Sequence, residues 1–429
     1  MTVSVWLDPL ADGEQVQHPP IKADLAIIGG GVVGAACAYL AAARNLKVVV
    51  LDAGQVATGA SGRNGGFVLR GIQSYYQSCV KQYGRDLARY IYTLGERNQQ
   101  LLKEALGDQL AAIDYDPCGS YLLASSLEEL EEQALSCTLM REDGFAVDLL
   151  SSDPLDRGYY GALHNAGDFG VNPVKLVRAL LQKSGAQVLE EQSVRQIEHS
   201  NQAILITARS EKVICDTAII ATNAYSPALD SYFLGRLQPA RGQMFATTPL
   251  KKKILNALCY ANYGWEYFRQ LPDRRLVLGG CRQPFLEEES GAADLITKPV
   301  QMALEHYLKD HFSELAGLAI EYRWSGTMAF TEDGLPLVGE LPHLPGVHFA
   351  VGCNGHGLGY SMGLAERVLA SSLDGNQVGY FDADRGAIYT AGRAVNDISS
   401  GHKFGSEKTA ALARSPQRAR MTGEFEIGP

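Results

Sequence analysis

The 429-residue chain has no run of about 18 consecutive apolar residues, the length a helix needs to span a bilayer, so no transmembrane segment is expected. It has no basic excess: 38 Lys and Arg stand against 48 Asp and Glu, a formal charge of -10. That balance argues against nucleic acid and anionic membrane as partners. Its eight cysteines contain no C-x-x-C pair, which leaves neither a disulfide framework nor a zinc site and predicts reduced thiols in a cytoplasmic protein. No basic stretch leads into an apolar core near Met1, so no signal peptide is expected. Metal-ligand spacing and internal repeats are also missing. What the chain has in quantity is glycine, 45 residues, and their placement is not random.

Ala23-Asp24-Leu25-Ala26-Ile27-Ile28 reads as a buried strand, followed at once by Gly29-Gly30-Gly31-Val32-Val33-Gly34 in the G-x-G-x-x-G pattern. Ala35 to Arg44, rich in Ala, suits a helix, and Lys47 to Leu51 reads as a second strand ending in Asp52. Gly29 allows a tight turn, Gly31 lets the backbone approach a pyrophosphate, and Gly34 lets helix and strand pack closely. The helix start offers N–H groups to phosphates, and Asp52 would accept hydrogen bonds from ribose hydroxyls. A lone G-x-G-x-x-G carries little weight; here strand, helix, second strand and acid occur in order. An NAD-dependent dehydrogenase would share this much.

Two further stretches separate the alternatives. Thr58-Gly59-Ala60-Ser61-Gly62-Arg63-Asn64-Gly65-Gly66 is small, polar and glycine-dense, suited to press backbone against a diphosphate or flat ring. Gly352-Cys353-Asn354-Gly355-His356-Gly357-Leu358-Gly359 is a second glycine loop feeding a helix, which would stabilise negative charge at its start. With the fingerprint, these residues resemble the D-amino-acid-oxidase-like FAD oxidoreductases, the group of glycine oxidase, sarcosine oxidase and gamma-glutamylputrescine oxidase. An NAD enzyme would need neither loop. A non-catalytic flavoprotein would keep both and lose a defined pocket.

The resemblance implies an α/β fold: a Rossmann-like FAD-binding domain of the glutathione-reductase type, with a second, antiparallel-sheet substrate domain. The boundaries it implies are a lead over 1–21, an FAD domain in three segments (22–85, 151–235 and 321–385), a substrate domain of 86–150 and 236–320, and a flexible tail over 386–429. FAD contacts are expected at Gly29, Gly31, Gly34, Asp52, Ala53, Ser61, Arg63, Asn64, Gly65, Gly66, Val194, Ala221, Thr222 and Gly326. The glycine loop adds Gly352, Gly355, His356, Gly357, Leu358 and Gly359.

Relatives of this kind oxidise the C–N bond of an amine or amino acid by hydride transfer to flavin N5, the imine then hydrolysing, with oxygen or another acceptor taking the electrons. Family members that grip an α-carboxylate carry an Arg two residues after the Gly matched by Gly326; here Met328 stands there. The Lys that sarcosine oxidases place after Gly-His-Gly-x is Gly359, and their flavin-linking Cys falls near Trp324, so FAD is expected to be non-covalent. These departures favour amines over glycine, sarcosine and simple D-amino acids, with a glycine or D-amino-acid oxidase or dehydrogenase as the alternative. Tyr267, Arg241, Arg323 and His356 are the expected catalytic and pocket-shaping residues, with Trp265 beside them.

Overall fold

The computed structural model describes residues 19–315 and 317–386; the expected lead before 19 and the tail after 386 lie outside the described residues. β-Branched apolar runs build the first sheet. Its order is Leu337–Glu340, Val347–Val351, Lys212–Ile220, Ile21–Ile28, Val48–Leu51 and Gln187–Leu189, with a hairpin of Gln196–Ser200 and Ala203–Thr207 on Lys212–Ile220. Five of these run parallel and Leu337–Glu340 antiparallel. The central strands are apolar on both faces because both faces are covered. Ile28 stands beside Leu51 on one side and Ile220 on the other, and Ile220 beside Phe349, so the strands finish together at one edge.

Helix Val32–Ala42 packs on Pro173–Ser184 and on Gly357–Asp374. Local chemistry sets their ends. Asn172 caps the second through Oδ1, which accepts from the Lys175 N–H at 3.1 Å; Pro173 opens it and Gly185, at φ +64°, closes it. Helix Arg85–Leu106 also packs on Gly357–Asp374, through a face of Leu87, Ile91, Leu94 and Leu102 in the same core as Leu25 and Val50. Buried Asn98 fixes the pair: its Nδ2 donates to Leu358 O at 3.0 Å and its Oδ1 accepts from Met362 N–H at 2.8 Å. This helix, assigned on sequence to the substrate domain, therefore packs on the core of the first sheet.

The second sheet is ordered Ile320–Phe330, Gln238–Thr247, Leu276–Gly280, Glu266–Gln270, Leu258–Ala261, Ser120–Ala124, Gly161–Asn165 and Asp148–Leu150. All neighbours are antiparallel except Leu258–Ala261 with Ser120–Ala124. It takes in Gly161–Asn165 and Ile320–Phe330, which the sequence reading placed in the FAD segments. Pairing decides this: Ile320–Phe330 lies along the length of Gln238–Thr247, from Gln238 beside Phe330 to Ala246 beside Tyr322. Helix Lys298–His311 covers one face, with Val300, Leu304 and Leu308 against Phe245, Phe268 and Leu278.

Among the described residues no helix is long and apolar enough to cross a membrane, and no group of three or more His, Cys, Asp or Glu could hold a metal ion. All eight cysteines are free thiols.

Candidate active site

Ligands of open parallel sheets bind beyond the carboxyl ends of the strands. Here those ends carry Gly29–Gly31, Asp52, Ala221–Asn223 and Gly352–His356. Gly29 takes φ +110°, and a Cβ there would lie 2.8 Å from Ala221 O. A Cβ on Gly34 would collide with the Gly29 carbonyl, so the fingerprint's third glycine is needed for packing. The Val32 N–H donates to Ser61 Oγ at 2.9 Å, which ties the fingerprint helix to the second glycine-rich loop. A Cβ on Gly31 would come within 2.9 Å of that same hydroxyl, leaving a cradle that only glycine keeps open.

Asp52 closes the second strand. Its Oδ2 accepts from the Gly30 N–H at 2.7 Å and its Oδ1 from the Gly54 N–H at 2.9 Å. Burial pushes its pKa up, and the two N–H bonds pull against that. Ala53 is exposed, and Val194 lies half-buried in the stretch after Gln187–Leu189, beside residues bonded to the Asp52 and Gly54 carbonyls.

The Ser61–Gly66 loop is held by its own polar groups. Asn64 Nδ2 donates to Ala60 O at 2.9 Å and Ser61 O at 2.8 Å, while Oδ1 accepts from the Gly66 N–H at 2.8 Å. Arg63 reaches across to the second sheet, donating to Ser325 O at 3.0 Å and pairing with Asp294 at 2.8 Å; Trp324 Nε1 returns a bond to Arg63 O at 3.0 Å. Gly326 follows, with room for a Cβ only 3.0 Å from Arg63 Cβ, and Gly65 lies as close to the Phe67 ring.

The C-terminal glycine loop is braced from two sides. Asn223 Oδ1 accepts from the Gly352 and Cys353 N–H groups at 3.0 and 3.2 Å. Asn354 is buried, its Oδ1 accepting from the Thr331 N–H at 2.9 Å. Helix Gly357–Asp374 starts after His356 with no side-chain cap and no acidic residue in its first turn; the Gly359 N–H donates back to His356 O at 2.9 Å, and the positive end of the helix is left without a countercharge of its own. At Gly359 a Cβ would stand 2.6 Å from Leu69 O, so the place of the family's Lys is filled by backbone. Thr222 and Leu358 lie at the bases of these loops, Thr222 Oγ1 bonding Ser226 Oγ at 2.9 Å.

Facing the loops is one side of the second sheet. Along Ile320–Phe330, Trp324, Gly326, Met328 and Phe330 are half-buried, while Ser325, Thr327 and Ala329 between them are buried. A Cβ on Gly355 would lie 3.4 Å from Met328 Sδ, and one on Gly242 would lie 3.1 Å from Met328 Cε and 3.4 Å from Tyr267 Oη. Tyr267 belongs to a cluster with Phe67 and Tyr260, ring centroids 6.4 and 5.9 Å away, and Tyr260 meets the His356 ring edge at 6.3 Å. Burial lowers the His356 pKa, so its ring is neutral at pH 7; Nδ1 lies 3.1 Å from Asn354 O.

The structure brings Tyr267 and His356 together and does not bring Arg241 or Arg323 to them. Alternation along the strands turns both arginines to the helix-covered face. Arg241 is buried, pairs with Glu289 at 3.2 Å and donates to Glu288 O. Arg323 reaches Gln301 at 2.7 Å and Glu305 at 2.6 Å. Arg269, almost fully buried, braces the Ser61–Gly66 loop by donating to Gly66 O at 3.0 Å and Val171 O at 3.3 Å.

Sequence reasoning did not reach Asp168. This buried acid accepts from Ser120 Oγ at 2.6 Å, Gln99 Nε2 at 2.7 Å and the Arg70 N–H at 3.0 Å, beside a small cavity lined also by Tyr260 and His356. No local motif marks it, because its three donors come from three separate segments.

Residues 24–371 match the family described as FAD dependent oxidoreductase (DAO). The chain is 28% identical over 374 residues to gamma-glutamylputrescine oxidoreductase of Escherichia coli (strain K12), covering 83% of this chain and 84% of that one. Glycine oxidase from Geobacillus kaustophilus superposes with a TM-score of 0.70 at 22% identity, over 84% of this chain and 97% of the other. L-proline dehydrogenase from P. horikoshii gives 0.72 at 20%, over 86% and 99%. At these identities the two structures speak for the fold alone.

Proposed function

The chain belongs to the FAD dependent oxidoreductase family, and from that premise we propose that it oxidises the C–N bond of an amine or amino acid with non-covalently held FAD. The observation that carries this reading is the approach of Met328, on the second sheet, to Gly355 of the glycine loop, with Tyr267 of the same sheet meeting Met328 over Gly242. Such an arrangement leaves an aromatic, apolar face opposite the strand-end loops, suited to a small organic substrate.

Bound FAD supplies the acceptor for the hydride that leaves the carbon bearing nitrogen. The fingerprint loop, Ser61 and the start of helix Val32–Ala42 would hold the pyrophosphate, and Asp52 the ribose. The uncapped start of helix Gly357–Asp374 stabilises negative charge developing opposite it. Tyr260, Tyr267, Phe67 and Met328 exclude water, which disfavours an ammonium and keeps the amine neutral. His356, neutral, donates from Nδ1 to Asn354 O, so Nε2 is left as an acceptor that orients a substrate N–H. The imine product hydrolyses in water.

Non-covalent attachment is supported by the cysteine within the glycine loop: burial pushes the Cys353 thiol up to about 12, which keeps it a poor nucleophile. Acid precipitation is expected to release all flavin into the supernatant; flavin left on the pellet would refute that part. The reaction class is tested by following peroxide or a dye acceptor with a panel of amines, which should give amine-dependent reduction and free aldehyde or ketone.

A further inference from the structure

Arg241, Arg323 and Arg269 are engaged elsewhere: Arg241 with Glu289, Arg323 with Glu305, Arg269 with Gly66 O. Arg282 is different. It follows Cys281 at the end of strand Leu276–Gly280, half-buried, and its guanidinium carbon lies 5.0 Å from the centroid of Trp265 and 5.1 Å from that of Phe330. Among the described residues it makes no side-chain hydrogen bond and no ion pair. The other unexposed arginines each hold a carboxylate, or, for Arg367, lie over Tyr90. Burial lowers its pKa, and Tyr267 and Glu289 are the groups that act against this. Glu289 is already committed to Arg241, Gln243 and Thr297. A planar cation between two rings thus keeps its five N–H donors unspent.

Its position is informative. Phe330 shares its strand face with Gly326 and Met328, and Trp265 directly precedes strand Glu266–Gln270, which carries Tyr267, so Arg282 stands beside the proposed substrate face. Met328 Sδ is the group next to the glycine loop; Phe330 is two residues farther along the strand, about 7 Å. We infer that Arg282 binds a carboxylate of the substrate, and that several bonds separate this carboxylate from the oxidised carbon, as in an ω-amino acid. Met328 then contacts the alkyl chain between them. Bidentate geometry is what a guanidinium offers a carboxylate, and an ammonium at the same place would lack it. The inference rests on the amine-oxidation reading for the choice of substrate, but carboxylate binding can be measured without turnover.

The FAD-loaded protein is titrated with pentanoate and with pentanamide, reading the change in the flavin's visible spectrum. Pentanoate should bind at least tenfold more tightly. Arg282→Leu should abolish that preference, and Arg282→Lys should keep part of it. Arg282→Gln removes the charge but keeps a hydrogen-bonding side chain, and it carries the same test if the leucine variant does not fold. In a second arm, anaerobic flavin bleaching should half-saturate at least tenfold lower with 5-aminopentanoate than with pentylamine, a difference lost in Arg282→Leu. Equal binding of pentanoate and pentanamide by the unmodified protein, or a preference that survives loss of the charge, overturns the inference. If pentanoate binds through Arg282 and neither amine bleaches the flavin, the amine-oxidation reading falls and the carboxylate site stands.

Discussion

The two sheets build their halves of the site from different material. The parallel sheet works through backbone: glycines, strand ends and the N–H groups of two helix starts, each part a short local motif. The antiparallel sheet works through side chains, taken at alternate positions from strands that are distant in sequence. Loss of one side chain from the second half should alter what is bound, whereas one added Cβ in the first half should remove the cofactor. The difference teaches that a backbone site is sterically all-or-none and a side-chain site is graded.

The largest effect is expected at Gly31. Gly31→Val places its side chain at Ser61 Oγ, 2.9 Å from the Cβ position alone, and should yield folded, colourless protein. Full flavin loading in that variant would show that the phosphate loop lies elsewhere. Arg269 sits at the seam of the two halves. Arg269→Met leaves the Val171 carbonyl unpaired in a buried place and the Gly66 carbonyl with only the Val171 N–H, at about 1–3 kcal/mol. Denaturant unfolding should show a loss of that size together with weaker FAD retention; loss of stability with unaltered retention would separate Arg269 from the loop it touches.

Glu266 tests the second sheet through pH. It is buried, and desolvation raises its carboxyl to about 7 from an ordinary 4.5. The folded state therefore holds a proton that the unfolded chain has released, so stability is highest below about pH 4.5 and falls as pH rises towards about 7. The contribution is about 3 kcal/mol at 1.36 kcal/mol per pKa unit, and Glu266→Gln should flatten that part of the stability profile. An unchanged profile would mean that Glu266 is charged when folded. The smallest effect belongs to Asp52. Asp52→Ala should weaken FAD binding roughly tenfold or more, from the loss of charge-assisted hydrogen bonds of about 1.5–3 kcal/mol each. An unchanged dissociation constant would remove Asp52 from the ribose site.

Much of the first half was legible because its signals are local. The strand–glycine–helix–strand–acid order and the second glycine loop feeding a helix both appear as read. The second half was not, for a physical reason. Gln238–Thr247 carries Pro239 and Gly242 and does not read as a strand, yet it pairs along Ile320–Phe330. Without that register the period-two alternation is invisible, and with it Arg241 and Arg323 turn to the face opposite Met328. Arg282 was hidden for the same reason: nothing near it in sequence announces that Trp265 and Phe330 meet on either side of it.

The central claim is that the two halves enclose a space where a C–N bond is oxidised. Anaerobic mixing of FAD-loaded protein with putrescine derivatives, simple amines, ω-amino acids, glycine, sarcosine and D-alanine, followed by the flavin's visible absorbance, tests it most directly. The account predicts rapid bleaching by the amines and ω-amino acids, and slow or no bleaching by glycine, sarcosine and D-alanine. Rapid bleaching by D-alanine or sarcosine alone would contradict the substrate assignment, and a flavin that no compound carrying a C–N bond reduces would contradict the claim itself.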